Sequence, residues 1–462
     1  KMILKTFCKS GKFVQFIGAI CVNFVGLVYG FMVGWPSLSI PLLTSKDSPL
    51  PSGPLTMEEA SLVISIMMLG GLTGTILIGS VIDSFGRKWP LFAGMLFQLV
   101  AQILIATAQN TMYLYVARFL SGISGGVLFI IISIYVNEIS ENSIRGTLGS
   151  IQGVFYNFGV IIAYAVCAYV PFFKAPFVAL GFLACFTLFI FFPESPQYLL
   201  LKHKYEEAEK SLKFFRGYSH DDQVKQEFES LKASIAATNT KTSLSFEDFK
   251  PSTTKKAILI SYIILTGRNL SGIYPLMNYI MDIFTLAGSN LDPNISAIIV
   301  AVIHLVGTII STYYTDKTGR RILLIPSLVG VGLCLTVMGI YYFLNDKGYD
   351  LSAVSWLPVL CLSGAFFLGA AVLTVPIYVM SELLPLKIRS TVITAFLITA
   401  WPQSFLTLQY YNSLANLLGV YSCLWIFAGW NFFEAVFAYF MLPETKGKSA
   451  DEIVLALEGK VK

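Results

Sequence analysis

The feature that most constrains this chain is a series of long apolar runs. Twelve stretches of roughly 20 residues, the length that crosses a bilayer core, recur along its 462 residues. Only 13% of the residues are charged, about half the share of a soluble chain. The pattern predicts an all-α membrane protein of twelve transmembrane helices in two six-helix bundles. The stretches cover residues 13–35, 58–82, 89–108, 112–137, 147–170 and 175–192, and then, after a polar insert, 257–285, 293–314, 321–344, 353–381, 390–416 and 420–442.

One charged motif occurs twice in the sequence. The stretch GSVIDSFGRKWP at 79–90 returns as TYYTDKTGRRIL at 312–323. Five charged residues recur in the same order and at nearly constant spacing in the two parts of the sequence. This repetition predicts that the chain consists of two related halves. The first set of charged residues is Asp83, Arg87, Glu138, Arg145 and Glu194, and the second is Asp316, Arg320, Glu382, Arg389 and Glu444.

All ten of these charges fall at the ends of apolar stretches on one side of the predicted bundle. Ion pairs there can link neighbouring helices, and a partly buried network stabilises more than an isolated surface pair. Ordinary flanking charges would not repeat in order and spacing. We interpret the two sets as gate ion pairs that form when this side is closed and break when the halves rock apart.

The other basic residues predict the orientation in the membrane. Of the 32 Lys and Arg residues, 27 fall on the side of both termini and the insert, Arg118 and Arg268 fall within spans, and only Lys46, Lys174 and Lys347 fall in loops of the other side. The positive-inside rule makes the first side cytoplasmic, so we expect a multi-pass protein of the cell membrane with both termini cytoplasmic. The basic residues follow helix ends and form no groove-sized stripe, so nucleic acid is not an expected partner. The predicted segments are 1–193 for the first bundle, 194–255 for a cytoplasmic helical insert, 256–443 for the second bundle and 444–462 for a cytoplasmic tail.

Eight short motifs along nearly the whole chain carry a family resemblance. The chain resembles the sugar porters of the major facilitator superfamily, the group that contains the facilitative glucose transporters. The stretches GWPSLSIPLL and RGTLGS are most similar to insect trehalose-transporter-like members. The eight motifs are DSFGRK, RFLSGISGG, NEISENSIRGTLG, PESPQ, LSGI, DKTGRR, SELLPLKIR and PETKGKS.

The resemblance implies a central cavity between the halves, but this sequence departs from the hexose pattern there. The fifth-span glutamine of glucose transporters falls on Gly153, the eighth-span asparagine on His304 and the tenth-span tryptophan on Ile377, while the eleventh-span tryptophan is kept as Trp401. The seventh-span motif QQLSGIN is RNLSGIY here. The candidate substrate-binding residues carried over or adjacent are Gln152, Arg268, Asn269, Tyr274, Asn278, His304, Trp401 and Gln403.

Two of these residues have two interpretations each. Arg268 lies inside a span, where a charge is costly and normally faces a cavity or a partner. It can donate a fork of hydrogen bonds to hydroxyls or to an anionic substrate, or it can pair structurally with an acid or with carbonyls. His304 is either a cavity donor or pH sensor or a packing histidine.

A further arginine bears on coupling. In proton-coupled sugar porters, the counterpart of Arg118 faces an aspartate in the first span. Here the aligned residue is Met32, and that span contains no carboxylate. This absence favours facilitated diffusion. The two remaining acids in or near spans, Asp282 and Glu434, are interpreted as structural.

No metal-ligand cluster and no phosphate-binding loop pattern is found in the sequence, so we expect no cofactor, no metal and no enzymatic activity. The predicted function is facilitated diffusion of a hexose or a disaccharide such as trehalose by alternating access, with the sugar and the bilayer as partners of a monomer. Two alternatives stay open. One is a transporter of a non-sugar or anionic solute, or a proton-coupled symporter. The other is a sugar sensor that does not transport.

Overall fold

The structure is a computed structural model that describes residues 11–217, 221–239, 245–287, 292–385, 387–448 and 450–458. Two predicted gate residues, Asp83 and Asp316, lie in helices, but their side chains are outside the described part. Helices and connecting segments make up the described ranges, which contain no strand.

The helices follow the apolar runs closely, because only a helix satisfies every backbone polar group within one membrane-spanning segment. The helices of the first half and the insert are α1 (Gly11–Thr44), α2 (Met57–Phe85), α3 (Lys88–Ala106), α4 (Thr111–Ile139), α5 (Arg145–Tyr169), α6 (Ala175–Phe186), α7 (Pro196–Leu201), α8 (Tyr205–Arg216) and α9 (Asp221–Asn239). The helices after the insert are α10 (Ser252–Leu270), α11 (Ile273–Asn278), α12 (Ile280–Ala287), α13 (Pro293–Thr318), α14 (Arg320–Asp346), α15 (Leu357–Leu383), α16 (Arg389–Leu418), α17 (Val420–Met441) and α18 (Ala450–Leu457).

The prediction of a many-helix membrane fold is confirmed. Eleven helical stretches in the described residues are long and apolar enough to cross a membrane. The remaining predicted span is a shorter apolar helix over Ala175–Phe191. It consists of α6 and a 3₁₀ segment over Thr187–Phe191, a geometry that is used only in short pieces.

The seventh span is broken into α10, α11 and α12. The first break lies at Gly272, whose φ of +88° is left-handed. A Cβ on this residue would lie 2.8 Å from the Phe427 ring, so both the backbone angle and the space require glycine. The Ser271 carbonyl next to the break accepts a hydrogen bond of 2.9 Å from Asn431 Nδ2 on α17. Broken backbone at membrane depth is tolerated when neighbours satisfy it in this way.

The first half, α1–α6, packs on the second half, α10–α17, through three helix contacts. Helix α2 packs on α16, α5 packs on α13, and α1 packs on α11 and α12. Both described ends of the chain lie on the same side as α7–α9. We call this side the basic face and the other side the opposite face. The interface between the halves is therefore lined by the fifth, seventh, eighth and eleventh spans, which carry the candidate substrate-binding residues, and by the first and second spans.

The insert touches both halves at the basic face. Arg216 at the end of α8 donates to the Ile139 carbonyl of α4 at 2.7 Å and pairs with Glu227 of α9 at 2.8 Å. Farther along, the 3₁₀ segment Phe246–Phe249 carries Asp248, which lies 2.8 Å from the Lys387 ammonium of the second half. This hydrogen bond, together with one from the Ser245 N–H, holds the pKa of the Asp248 carboxyl below its usual value.

Candidate functional site

The first charged set holds three helix ends together at the basic face. Arg87, just before α3, pairs with Glu138 of α4 at 2.9 Å, and the two side chains are only 7% and 10% exposed. The guanidinium Nε also donates to both Glu138 oxygens at 3.1 and 3.2 Å. A forked Arg–carboxylate pair of this kind is among the stronger polar contacts in proteins.

Glu194 has a different role in the same set, because it caps a helix. Its carboxylate accepts the backbone N–H groups of Arg87 at 3.1 Å and Lys88 at 3.0 Å, at the start of α3. Unpaired N–H groups and the helix dipole favour a negative charge there. Gly86 makes this contact possible, since its φ is +85° and a Cβ on it would collide with the Glu194 carboxylate.

The second charged set repeats this geometry. Arg320 pairs with Glu382 of α15 at 2.9 Å. Glu444 accepts the N–H groups of Arg320 at 2.9 Å and Arg321 at 3.1 Å at the start of α14. Gly319, with φ +111°, again leaves room for the capping carboxylate. The duplication seen in the sequence is therefore also a duplication of contacts.

The remaining arginines of the two sets bind carbonyls of their own half. Arg145 donates to the Ser140 carbonyl at 3.4 Å, and Arg389 donates to the Leu384 carbonyl at 3.0 and 3.2 Å. In each case the acceptor lies five residues earlier, in the loop before the helix. Neither arginine forms an ion pair within the described ranges. The ion pairs of the gate sets thus lie inside the halves in this structure, and a role between the halves stays a prediction.

Side chains join the halves from the middle of the bundle to the opposite face. Near the opposite face, Ser65 of α2 donates to Gln409 Oε1 at 2.5 Å, and Asn412 donates to Ser61 at 3.3 Å. At mid-depth, Asn157 of α5 donates to Thr308 at 3.2 Å. The hydrogen bonds between the halves thus leave their basic-face ends unjoined in the described part of the chain. This is the arrangement of a bundle that is open towards the basic face.

Trp401 crosses the interface between the halves. Its Nε1 donates to Thr75 of α2 at 2.9 Å, and its indole packs so closely on Gly71 that a Cβ there would lie 2.6 Å from the ring. The sequence placed Trp401 in the cavity wall as a stacking surface for sugar. In this structure part of that surface is covered by α2.

A cluster of tyrosines and one arginine lies at the centre of the interface. The Tyr274 hydroxyl of α11 lies within electrostatic range of the Tyr29 hydroxyl of α1 and the Tyr156 hydroxyl of α5. The Tyr29 and Tyr156 rings are 6.2 Å apart. Arg268 of α10 lies within electrostatic range of all three hydroxyls. The cluster therefore takes side chains from both halves.

Of the other seventh-span candidates, Asn269 is held by a neighbouring helix and Asn278 by its own. Asn269 donates to the Ala400 carbonyl and to Gln403 Oε1 of α16, both at 3.2 Å. Asn278 is buried and donates to the Tyr274 carbonyl one turn earlier in α11 at 2.9 Å. The Asn269 contacts therefore fix the position of α10 against α16.

The fifth-span and eighth-span candidates lie away from the tyrosine cluster. Gln152 of α5 donates to the Phe129 carbonyl of α4, inside the first half, at 3.3 Å. Its neighbour Gly153 is the residue that faces α13, where Thr308 is in contact range. His304 of α13 is buried edge-to-face on Phe366 of α15, with ring centroids 5.5 Å apart.

Arg118 of α4 shows how an arginine is satisfied inside this bundle. It is 1% exposed and donates to the carbonyls of Val63 at 3.0 Å and Ile64 at 3.2 Å, and also to the Met32 carbonyl. The Met32 carbonyl lacks its usual helical donor because Pro36, four residues later, has no N–H. Pro36 thus leaves free the main-chain carbonyl that Arg118 uses as an acceptor.

Sequence reasoning missed several residues of the interface. Tyr29 and Tyr156 belong to the central cluster, and Thr75, Asn157 and Thr308 make hydrogen bonds between the halves. One signal was available for Tyr156, which lies one helical turn after Gln152. No comparable signal pointed to Thr75.

Two six-helix halves, a broken seventh span and duplicated charged sets define a membrane transporter fold of the major facilitator type. The fold matches the inward open conformation of the xylose transporter XylE from E. coli with a TM-score of 0.75 at 19% identity, over 97% of this chain and 100% of that chain. It also matches the proton:xylose symporter XylE bound to 6-bromo-6-deoxy-D-glucose with a TM-score of 0.73 at 20% identity, over 96% and 99% of the two chains.

The sequence comparisons give the family. The family described as "Sugar (and other) transporter" matches residues 18–456, so the chain belongs to it. The facilitated trehalose transporter Tret1 of Bombyx mori is 29% identical over 96% of this chain and 86% of that protein. Tret1 of Drosophila pseudoobscura pseudoobscura is 29% identical over 97% of this chain and 52% of that protein. The chain thus spans about half the length of the Drosophila relatives it matches.

Proposed function

We propose that this protein is a sugar transporter that moves a hexose or a disaccharide, with trehalose as the first candidate, down its gradient. Membership of the sugar transporter family supports the transport of sugars, and the names of the insect relatives support trehalose. We also propose that it acts as a monomer, without a cofactor or an enzymatic step, and that the segments 1–193, 194–255, 256–443 and 444–462 act as separate units.

The observation that best supports facilitated diffusion is the environment of Arg118. Its guanidinium binds three main-chain carbonyls, and α1 contributes no carboxylate to it. A main-chain carbonyl cannot take up a proton at physiological pH, so this arginine has no protonatable partner to couple proton entry to sugar movement. The charge here is fixed, and the cycle runs on the sugar gradient alone.

The proposed mechanism is alternating access. In the form open to the basic face, hydrogen bonds near the opposite face hold the halves together. In the other form, the basic-face ends approach each other, and Arg145 and Arg389 exchange their carbonyl partners for acids of the other half. The basic face is taken as cytoplasmic because 27 of the 32 Lys and Arg residues belong to that side, in a cell membrane with both termini inside.

The test is uptake of labelled glucose and trehalose into proteoliposomes, with and without an inward proton gradient. We expect uptake that levels off at equilibrium and ignores the gradient. Accumulation driven by the gradient would reject uniport and direct attention to Glu434 and His304. Protein-free vesicles and a competing unlabelled sugar serve as controls. Folded protein that moves neither labelled sugar would reject both named cargoes.

A further inference from the structure

Arg268 is a charged side chain near the middle of the bundle without a charged partner. It is half buried, and it makes no ion pair and no side-chain hydrogen bond to another described residue. The groups around it are the neutral hydroxyls of Tyr29, Tyr156 and Tyr274. Its neighbour Asn269 turns the other way and is already bound to α16.

The second central arginine does not share this property. Arg118 lies within electrostatic range of Tyr29 and Tyr274, but the three nitrogens of its guanidinium donate to carbonyls. It therefore adds positive charge to the centre without offering a free fork of donors. Arg268 is the arginine in the described part of the bundle core whose guanidinium is still available.

Acidic side chains of the spans lie elsewhere. Glu138 and Glu382 are paired at the basic face. The Glu434 carboxylate of α17 packs against Gly267, on the side of α10 that faces α17. Asp282 lies in the first turn of α12. The centre of the interface thus contains two positive charges and, in the described residues, no carboxylate within electrostatic range of Arg268.

An unpaired arginine at membrane depth is energetically unfavourable. Water can solvate Arg268 while the bundle is open, but closing the halves around a cargo removes that water. A neutral sugar then supplies only hydroxyl acceptors, whereas a carboxylate supplies both charge and two acceptor oxygens for the guanidinium fork. The closed form therefore favours a cargo that carries its own negative charge.

We propose that the central site takes a sugar acid, in which one carboxylate binds Arg268 and the ring hydroxyls bind the tyrosine cluster of Tyr29, Tyr156 and Tyr274. This inference rests on the proposed sugar transport and adds sugar acids to the neutral sugars named there. A single negative charge fits because one guanidinium is free. A phosphorylated sugar would bring nearly two charges to the same single fork.

The test compares labelled glucuronate, glucose, trehalose and glucose 6-phosphate in the same proteoliposomes. We expect glucuronate uptake at least tenfold above protein-free vesicles. We also expect an inside-positive potassium diffusion potential to accelerate it, since each turnover moves one negative charge. Preference for the phosphate ester would overturn the assignment of a single charge.

Arg268→Gln should lower the ratio of glucuronate uptake to glucose uptake about tenfold, because only glucuronate brings a negative charge to the guanidinium. Glucuronate uptake by Arg268→Lys should lie between that of the parent protein and that of Arg268→Gln, because the positive charge remains but the guanidinium fork is lost. Lys347→Gln removes the same charge from an exposed loop at the opposite face and should behave as the parent protein does. Protection of the unmodified protein against thermal unfolding by glucuronate gives a second readout that does not depend on the folding of a variant.

Two results would separate the two proposals. Uptake of glucose or trehalose by a protein that neither transports nor binds glucuronate would overturn the sugar-acid site and leave sugar transport standing. Uptake of none of these sugars by folded protein would overturn sugar transport itself.

Discussion

The two charged sets at the basic face are near copies of each other, whereas the central site takes different residues from each half. Both sets have an Arg–Glu pair at 2.9 Å and a glutamate that caps a helix next to a left-handed glycine. The central cluster takes tyrosines from α1 and α5 but an arginine and a tyrosine from α10 and α11. Contacts that hold helix ends serve the same purpose in both halves, while a site for an asymmetric molecule gains nothing from repetition.

The copies differ in burial. Arg87 and Glu138 are 7% and 10% exposed, while Arg320 and Glu382 are 12% and 27% exposed. Glu382 also accepts a hydrogen bond from the Thr445 hydroxyl. The ion pair of the first set is therefore less exposed to solvent, and the glutamate of the second set has an additional hydrogen-bond donor. The same substitution should thus reduce stability by different amounts in the two sets.

The largest effect is expected from Arg87→Gln. Breaking a buried pair leaves a buried carboxylate uncompensated and typically costs about 3–5 kcal/mol. Arg320→Gln should cost less, because Glu382 retains solvent and the Thr445 hydroxyl. Thermal unfolding in detergent, compared for the two variants, measures the difference. Equal shifts in melting temperature would mean that the two ion pairs contribute equally to stability although they differ in burial.

Next come Gly86→Ala and Gly319→Ala. Both residues are left-handed, and a Cβ would press on the capping carboxylate, so we expect losses of about 1–3 kcal/mol each. Gly146 in α5 is the matched control, since nothing lies within 4 Å of its added Cβ. Gly146→Ala should be neutral or slightly stabilising. A loss there as large as at Gly86 would reject the capping explanation.

Arg145→Ala and Arg389→Ala should separate stability from transport. In this form each arginine binds only carbonyls of its own half, so the melting temperature should change little. Uptake should fall severalfold, because the basic face then closes less firmly. Unchanged uptake kinetics in both variants would eliminate the gate role of these two residues.

The smallest effect is expected from Trp401→Phe. It keeps an aromatic ring but removes the hydrogen bond to Thr75, and such bonds are worth about 0.6 kcal/mol in membranes. Combining it with Thr75→Val in a double-mutant cycle isolates that bond. Trp401→Ala should also lower sugar affinity, since it deletes the stacking surface. Unchanged affinity in that variant would remove Trp401 from the cargo site.

The fold was predictable because its determinants are local. Apolar runs set the helices, and repeated glycine–arginine pairs set the two halves. The central site was less predictable. The partners of Arg118 are three main-chain carbonyls, one of which lacks its helical donor because of Pro36, and no side-chain pattern encodes a carbonyl. Trp401 of one half lies on Gly71 of the other, so its environment depends on the relative position of the halves and not on its neighbours in sequence.

The hydrogen bonds near the opposite face have a consequence for the timing of the cycle. Two of them, from Ser65 and Asn412, and the Trp401–Thr75 hydrogen bond at mid-depth must break together before the empty protein can turn over. At about 0.6 kcal/mol each they bias the empty protein roughly twentyfold towards one resting orientation. Return without cargo should then be the slow step, and vesicles preloaded with unlabelled sugar should exchange label faster than empty vesicles fill. The protein would then catalyse exchange of sugar faster than net uptake. Equal rates of exchange and net uptake would show that these hydrogen bonds do not limit the rate of the cycle.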